Sequence, residues 1–299
     1  MFKKSGWIFI DKPIGLTSNT LLQKVRLNLD KAKAGFVGTL DPLASGCLPI
    51  AIGHATKVIN LAEKVNKEYI FTILWGKQTD TGDLEGRIIN EKKIFPSNKN
   101  IQRILSNFIG NIKQTPPKYS SIKINGSRAY SLARNEVSFE LKKREVIIFS
   151  LKLLRQLSLE RAEFYVNCSS GTYIRSLAES ISKALGTVGV LIQLRRVGFG
   201  NFNKNLISLD YFLSLVHSDD QNKAIEPIDE VFSWIRVLEI NEKQLNKVLN
   251  GNCIEMNFFE NDKFVKPNVE YFFAKHRNEI IALGFMKKKN FYPKKILVS

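Results

Sequence analysis

Asp41, Arg175, Tyr69 and Tyr173 are the side chains whose types and surroundings could do chemistry. Asp41 lies in "GFVGTLDPLASGCLPI" (35–50), a nearly uncharged stretch with Gly35, Gly38, Gly46 and two prolines. Asp-Pro commonly opens a turn, which is the plain structural reading. Apolar residues on both sides imply a buried loop, however, and an unpaired buried carboxylate costs several kcal/mol. The acid must meet a cation from elsewhere in the chain or stay protonated. Arg175 in "CSSGTYIRSL" is a suitable partner, on the first turn of an expected helix and close to a glycine that admits another backbone. By local pattern it reads equally as a surface arginine. Tyr69 in "KEY" is either a further site residue or a strand aromatic of the core, and Tyr173 carries the same two readings. In "QLRRVGFGNF", Arg195 and Arg196 point to opposite faces of a strand, so one meets solvent or phosphate. Lys118, Lys123, Arg128 and Arg134, interleaved with Tyr119 and Tyr130, form a basic segment over 118–134. It suits RNA through phosphate contacts and stacking, or is a solvated charged loop.

The elements that must hold these residues can be read from periodicity. Trp7–Ile10 makes a buried strand that breaks at Lys12-Pro13. Thr17 or Ser18 caps a helix that lays Leu21, Leu22, Val25 and Leu29 on one face. A second helix starts near Ala55. Tyr69, Phe71 and Ile73 alternate along one side of a strand. "NIQRILSNFIGN" predicts a helix with Ile101, Ile104, Leu105, Phe108 and Ile109 in register, stopped by Gly110. "REVIIFSLKLL" and "AEFYVNCSSG" read as paired strands, and "TYIRSLAESISKALG" as a helix closed by Gly186. Strands and helices without regular βαβ alternation predict an α+β fold. A change of character near residue 234 predicts a domain over 1–234 and a small β-rich module over 235–299. That module ends in a lysine tail, "MKKKNFYPKK".

The composition narrows the class of function. Lys and Arg number 45 against 28 acidic residues, a net charge of +17. Such an excess favours polyanionic partners; an A/T-rich genome, which raises Lys together with Asn and Ile, would produce it too. Cys47, Cys168 and Cys253 are odd in number and far apart, and only His54, His217 and His276 could assist them. A zinc site or disulfide framework is not expected, and a reducing cytoplasm fits. No apolar run reaches the ~18 residues a membrane span needs. Neither a P-loop, a dinucleotide fingerprint nor a serine or cysteine triad can be assembled.

Taken together, these residues resemble the TruB family of tRNA pseudouridine-55 synthases. The resemblance is carried by "DKPIGLTSN" (11–19), "GTLDPLASGCLPIAIGHATK" (38–57), "KEY" (67–69) and "GKQTDTGDLEG" (76–86). "QTPPKYSSIKINGSRAYSLAR" (114–134), "CSSGTYIRSLAE" (168–179) and "QLRRVGFGNF" (193–202) continue it in the family's order. It implies a pseudouridine-synthase-like mixed, largely antiparallel sheet flanked by helices, with a PUA-like RNA-binding module at the C-terminus. The implied reaction converts one uridine of the tRNA T-arm to pseudouridine after base flipping. It needs no cofactor and no metal, and takes tRNA as partner to a cytoplasmic monomer with no membrane attachment. By the same match Asp41 is the nucleophile, Arg175 its ion-pair partner, and Tyr69 packs on the base and moves a proton. Tyr173 and Leu194 line the pocket, Lys12 and Pro13 support the Asp41 loop, and Lys57 adds charge near it. Lys123, Arg128 and Arg134 belong to a thumb-like RNA-binding loop. Phe36 stands where family members usually carry histidine; it keeps a stacking face but loses a hydrogen bond, so flipping is expected to persist with weaker discrimination. Three rival readings are a tRNA-binding chaperone without turnover, a guide-RNA-dependent pseudouridylase and a membrane-surface protein using the lysine tail, which no amphipathic helix supports. The first has no use for a desolvated nucleophile, and the guided relatives lack the thumb-like loop.

Overall fold

Strands that are apolar on both faces mark the centre of a sheet covered on both sides. Gly6–Lys12 and Ala44–Ile52 have this character, being buried almost throughout. A computed structural model of the chain describes residues 4–135, 137–202, 206–218, 220–256 and 271–298. It is an α+β structure around a nine-stranded mixed sheet. In spatial order the sheet runs through Ile207–Ser208, Gly6–Lys12, Ala44–Ile52, Gly189–Phe199, Lys67–Trp75, Arg161–Cys168, Arg144–Ser158 and Gly110–Gln114, with Ala34–Phe36 added beside Ala44–Ile52. Gly6–Lys12 runs parallel to Ile207–Ser208, and Ala44–Ile52 parallel to Gly189–Phe199; the other pairs are antiparallel.

On one face Ile8, Ile10, Leu48 and Ile50 meet Leu21, Leu22, Val25 and Leu29. All four of the latter are buried, and Thr17 caps their helix, Ser18–Leu27, by accepting from the backbone N–H of Thr20. On the other face Trp7, Phe9, Cys47 and Ala51 pack with Phe199, Phe202, Phe232 and Phe273. Phe273 belongs to a separate five-stranded sheet built from Arg236–Glu239, Ile254–Glu255, Tyr271–His276, Glu279–Lys287 and Asn290–Ile296.

Three expectations change. The helix over 98–105 gives way to a 3₁₀ turn at Ser106–Phe108, whose tighter winding rotates Ile109 out to solvent. The segment from Ala55 is mostly 3₁₀ (Gly53–Val58), with one α-turn at Ile59–Ala62. The lysine-rich end is no free tail. It forms an antiparallel hairpin turning at Lys288 (φ +55°) and anchored by the fully buried Phe291. Lys287, Lys288 and Lys289 are exposed at the turn, whereas Lys295 on the returning strand is half-buried.

Candidate active site

Two sequence-distant stems bring the Asp41 loop to its partner. The loop joins Ala34–Phe36 to Ala44–Ile52, and the "DKPIGLTS" segment clamps it. The Ser18 hydroxyl, freed because Thr17 makes the cap, donates to the Leu40 carbonyl at 3.0 Å and accepts from the Leu40 N–H at 2.9 Å. The Gly15 N–H donates to the Pro42 carbonyl at 2.8 Å, and the loop closes on itself through Ala44 N–H to Asp41 O at 3.0 Å. Lys12 is fully buried and turns its ammonium onto the carbonyls of Pro13 (2.9 Å), Leu16 (2.6 Å) and Pro42 (3.4 Å). Burial pulls the Lys12 pKa down to about 8, with Asp41 working against the fall and Arg196 adding to it. Lys12 thus ties the "DKPIGLTS" segment to the Asp41 loop through Pro42.

Arg175 stands on the first turn of the helix Ile174–Ala184. Its Nη2 lies 3.0 Å from Asp41 Oδ2, so the pair anticipated across 134 positions of sequence is formed. The guanidinium is 6% exposed, and the Asp41 side chain retains 35% of its surface. Asp41 is therefore not sealed in; one side opens to solvent while protein crowds the rest. Burial pushes its carboxyl above the ordinary value; Arg175 opposes that rise, Asp83 adds to it and Lys12 opposes it.

Asp83 was not foreseen. Its side chain is 4% exposed and its Oδ2 sits 3.3 Å from Arg175 Nη1. Its Oδ1 accepts from the Thr81 hydroxyl (2.6 Å) and the Glu85 N–H (3.1 Å). Arg175 also donates to the carbonyls of Thr81 (3.0 Å) and Tyr119 (2.9 Å). One guanidinium thus links the Asp41 loop, the "TDTGDLEG" loop and the root of the basic segment.

Tyr69 is buried on its strand, and burial raises its phenol pKa while Arg196 counters the rise. Leu194, also buried, pairs with Phe71 on one side and Ala44 on the other. Tyr173 precedes the Arg175 helix, held through its backbone by Gln114 at 2.7 and 3.0 Å. Burial raises its phenol pKa, and Arg144, whose guanidinium lies 6.0 Å from the ring centre, opposes that. Phe36, half-buried, packs against the core cluster that includes Tyr69 and Leu194. Of the two adjacent arginines, Arg195 is exposed and paired with Asp11 at 2.7 Å, whereas Arg196 is interior.

Lys57 does not join this group. Its ammonium donates to the Ile296 carbonyl at 2.6 Å, and Lys295 returns a bond to the Lys57 carbonyl. It ties the large sheet's flank to the C-terminal sheet. Lys123, Arg128 and Arg134 are exposed on a small hairpin, Lys123–Ile124 with Ser127–Arg128, and the following helix Ala129–Arg134. Arg128 donates back to the Ser121 carbonyl, and Arg134 lies 5.9 Å from the Tyr130 ring centre. Among the described residues no group of three His, Cys, Asp or Glu could hold a metal, and no helix is long and apolar enough to cross a membrane.

A family described as TruB family pseudouridylate synthase (N-terminal domain) matches residues 26–174. Proteins named tRNA pseudouridine synthase B match far more of the chain. That of Ehrlichia ruminantium is 44% identical, covering 84% of this chain and 86% of its own. That of Rickettsia bellii is 39% identical over 96% of both chains. The chain belongs to the TruB family. It is thus an isomerase of the pseudouridine-synthase class. The same fold appears in a Cbf5-Nop10-Gar1 complex, at a TM-score of 0.73 and 23% identity, covering 98% of this chain and 85% of that one. An H/ACA RNP bound to a substrate RNA containing 2′-deoxyuridine gives 0.73 and 22%, with the same coverage. The Asp41 loop, the Arg175 helix and the Tyr69 strand all lie in segments that carried the resemblance to this family. Sequence reasoning reached those residues through their motifs. It passed over Asp83 although "GKQTDTGDLEG" was among the matching segments, because a polar loop gives no local sign that its acid is buried.

Proposed function

We propose that this TruB-family chain isomerises uridine-55 in the T-arm of tRNA, with Asp41 as nucleophile. The observation that carries the proposal is the Asp41–Arg175 pair at 3.0 Å in a site open on one side. A nucleophilic carboxylate must be ionised at neutral pH where water is largely excluded. A permanently charged guanidinium favours that state, and four oxygen partners hold Arg175 in place. The target base is inaccessible in a folded arm and is flipped into the pocket. The N1–C1′ glycosidic bond breaks, the uracil turns, and a C5–C1′ bond forms; C5 loses its hydrogen to water and N1 gains a proton. Tyr69 packs on the base and passes the C5 proton, with Tyr173, Leu194 and Phe36 as pocket walls.

The exposed cations Lys123, Arg128 and Arg134 grip the T-arm backbone as a thumb-like loop, and a net charge of +17 favours the encounter. Residues 1–234 act as the catalytic domain and 235–299 as a PUA-like RNA-binding module, in a cytoplasmic monomer. The relatives' shared name, tRNA pseudouridine synthase B, supports tRNA as substrate. Unmodified tRNA carrying tritium at uracil C5 tests the proposal. The wild-type protein alone is expected to release label to water, and Asp41→Ala to bind tRNA and release none. Binding without release by the wild type, or release only with an added guide RNA, would refute it.

A further inference from the structure

Arg196 is 1% exposed and one of the largest fully buried side chains among the described residues. It lies on Gly189–Phe199, the strand between the one that follows the Asp41 loop and the one that carries Tyr69. In register it faces Gly46 on the first and Tyr69 on the second. Its Nε donates to the Cys47 carbonyl at 2.6 Å, and its Nη2 to the Val37 carbonyl at 3.4 Å. Its Nη1 comes within 2.9 Å of where a Cβ on Gly38 would stand, so only glycine leaves it room there. One planar guanidinium therefore touches both stems of the loop that holds Asp41, from the strand position that pairs with Tyr69.

We propose that Arg196 is a positioning residue that fixes the two stems of the Asp41 loop relative to one another and to the strand that carries Tyr69. The inference rests on the roles given above to Asp41 and Tyr69. Among the described residues no carboxylate pairs with Arg196, so its charge is buried against carbonyls and rings alone, including Phe199 at 5.8 Å. Packing by itself favours an apolar side chain at such a place. The fork geometry of arginine reaches several acceptors in one plane, which a lysine ammonium cannot do. Its positive charge also favours a phenol that can give up its proton, opposing the effect of burial on Tyr69.

Arg196→Lys and Arg196→Met test this, with tritium release, tRNA binding, thermal melting and the ring-carbon resonance of Tyr69 as readouts, assigned by Tyr69→Phe. Displacing reacting groups by an ångström costs on the order of 100-fold in rate. The expected result is roughly that loss in turnover for Arg196→Lys, with tRNA affinity within about twofold and a melting temperature lower by only a few degrees, the cost of carbonyls that lose a donor. In Arg196→Met the Tyr69 resonance is expected to titrate at higher pH than in the wild type. Wild-type turnover in Arg196→Lys would overturn the proposal, as would a loss matched by lost folding or lost tRNA binding. An unshifted Tyr69 titration in Arg196→Met would overturn it too. If Arg196→Met does not fold, the Arg196→Lys turnover decides alone; an Arg196→Lys that does not fold leaves a role in folding sufficient and overturns the proposal. Absence of release by the wild type would instead refute the tRNA reading and leave the Tyr69 titration as the test of Arg196.

Discussion

Removing the charge of Arg175 while keeping its bulk, as in Arg175→Met, strands two carboxylates that differ in exposure. Asp83 is 4% exposed and would be left charged in the interior, whereas Asp41, at 35%, can turn to water. Breaking a buried pair by deleting one partner costs about 3–5 kcal/mol. For a chain of this size each kcal/mol moves the melting temperature by about 2 °C, so a fall of roughly 6–10 °C is expected. Most of that cost belongs to Asp83. An asparagine there still accepts from Thr81 and Glu85 through one oxygen and is far cheaper to bury uncharged.

The double variant Arg175→Met/Asp83→Asn is therefore expected to regain about half the loss, while Arg175→Met/Asp41→Asn regains little, because a partly solvated charge is screened. Thermal melting of the four proteins at fixed pH and salt gives the comparison, and tritium release stays low in all three variants. If Asp41→Asn rescued as well as Asp83→Asn, or neither rescued at all, the assignment of the cost to the buried acid would be refuted.

Lys67 is buried, donates to the carbonyls of Glu63 and Val65, and has its pKa lowered to about 8. A lysine with a depressed folded-state pKa destabilises the fold below that pKa, and the penalty fades as pH rises toward the unfolded value of 10.5. Urea unfolding should thus show stability rising by about 2 kcal/mol between pH 7.5 and 9.5 on account of Lys67, a rise that Lys67→Met removes; an identical pH profile in the variant would contradict the shift. Ser18→Ala leaves the Leu40 N–H without its interior partner, and a loss of about 1–3 kcal/mol is expected, with slower turnover and unchanged tRNA affinity; unchanged turnover would show that the clamp does not hold Asp41. Gly46 has φ +98°, and a Cβ there would collide with the backbone of Arg196. Gly46→Ala should yield no folded protein by circular dichroism, and a native-like spectrum would show that the two parallel strands can separate.

The Asp41–Arg175 pair was legible because its two motifs carry a chemical demand: a lone acid in an apolar loop needs a remote cation. The acid's surroundings supplied that argument, and the resemblance supplied the partner's role. Asp83 offered no such demand, since "TDTGDLEG" is polar throughout. It becomes buried because the Leu191 N–H donates to the Gly82 carbonyl and draws the loop over the central strand. Parity along a strand could say that one of Arg195 and Arg196 faces inward, but not which. The choice depends on what covers each face of a sheet assembled from segments far apart in sequence. Lys57, which the resemblance placed as added charge near the Asp41 loop, instead donates to Ile296 on another sheet, a partner no local sequence pattern could indicate. Helix ends failed locally, as Ile109 shows, because periodicity cannot register a change from α to 3₁₀ winding.

These successes and failures share one cause. Charge that must be neutralised leaves a trace in sequence only when its surroundings are apolar, and among the described residues the buried cations Lys12, Lys67 and Arg196 are solvated by backbone carbonyls instead of paired with an acid. Lys12, Lys67 and Arg196 donate mainly to backbone oxygens, which any sequence supplies. No acidic partner marks them in the sequence, yet together they surround the Asp41 loop with fixed positive charge. Such preorganised charge stabilises a developing anion without reorganisation. In this site the chemistry is announced by one pair, and the field around that pair is set by residues whose partners are the chain's own backbone.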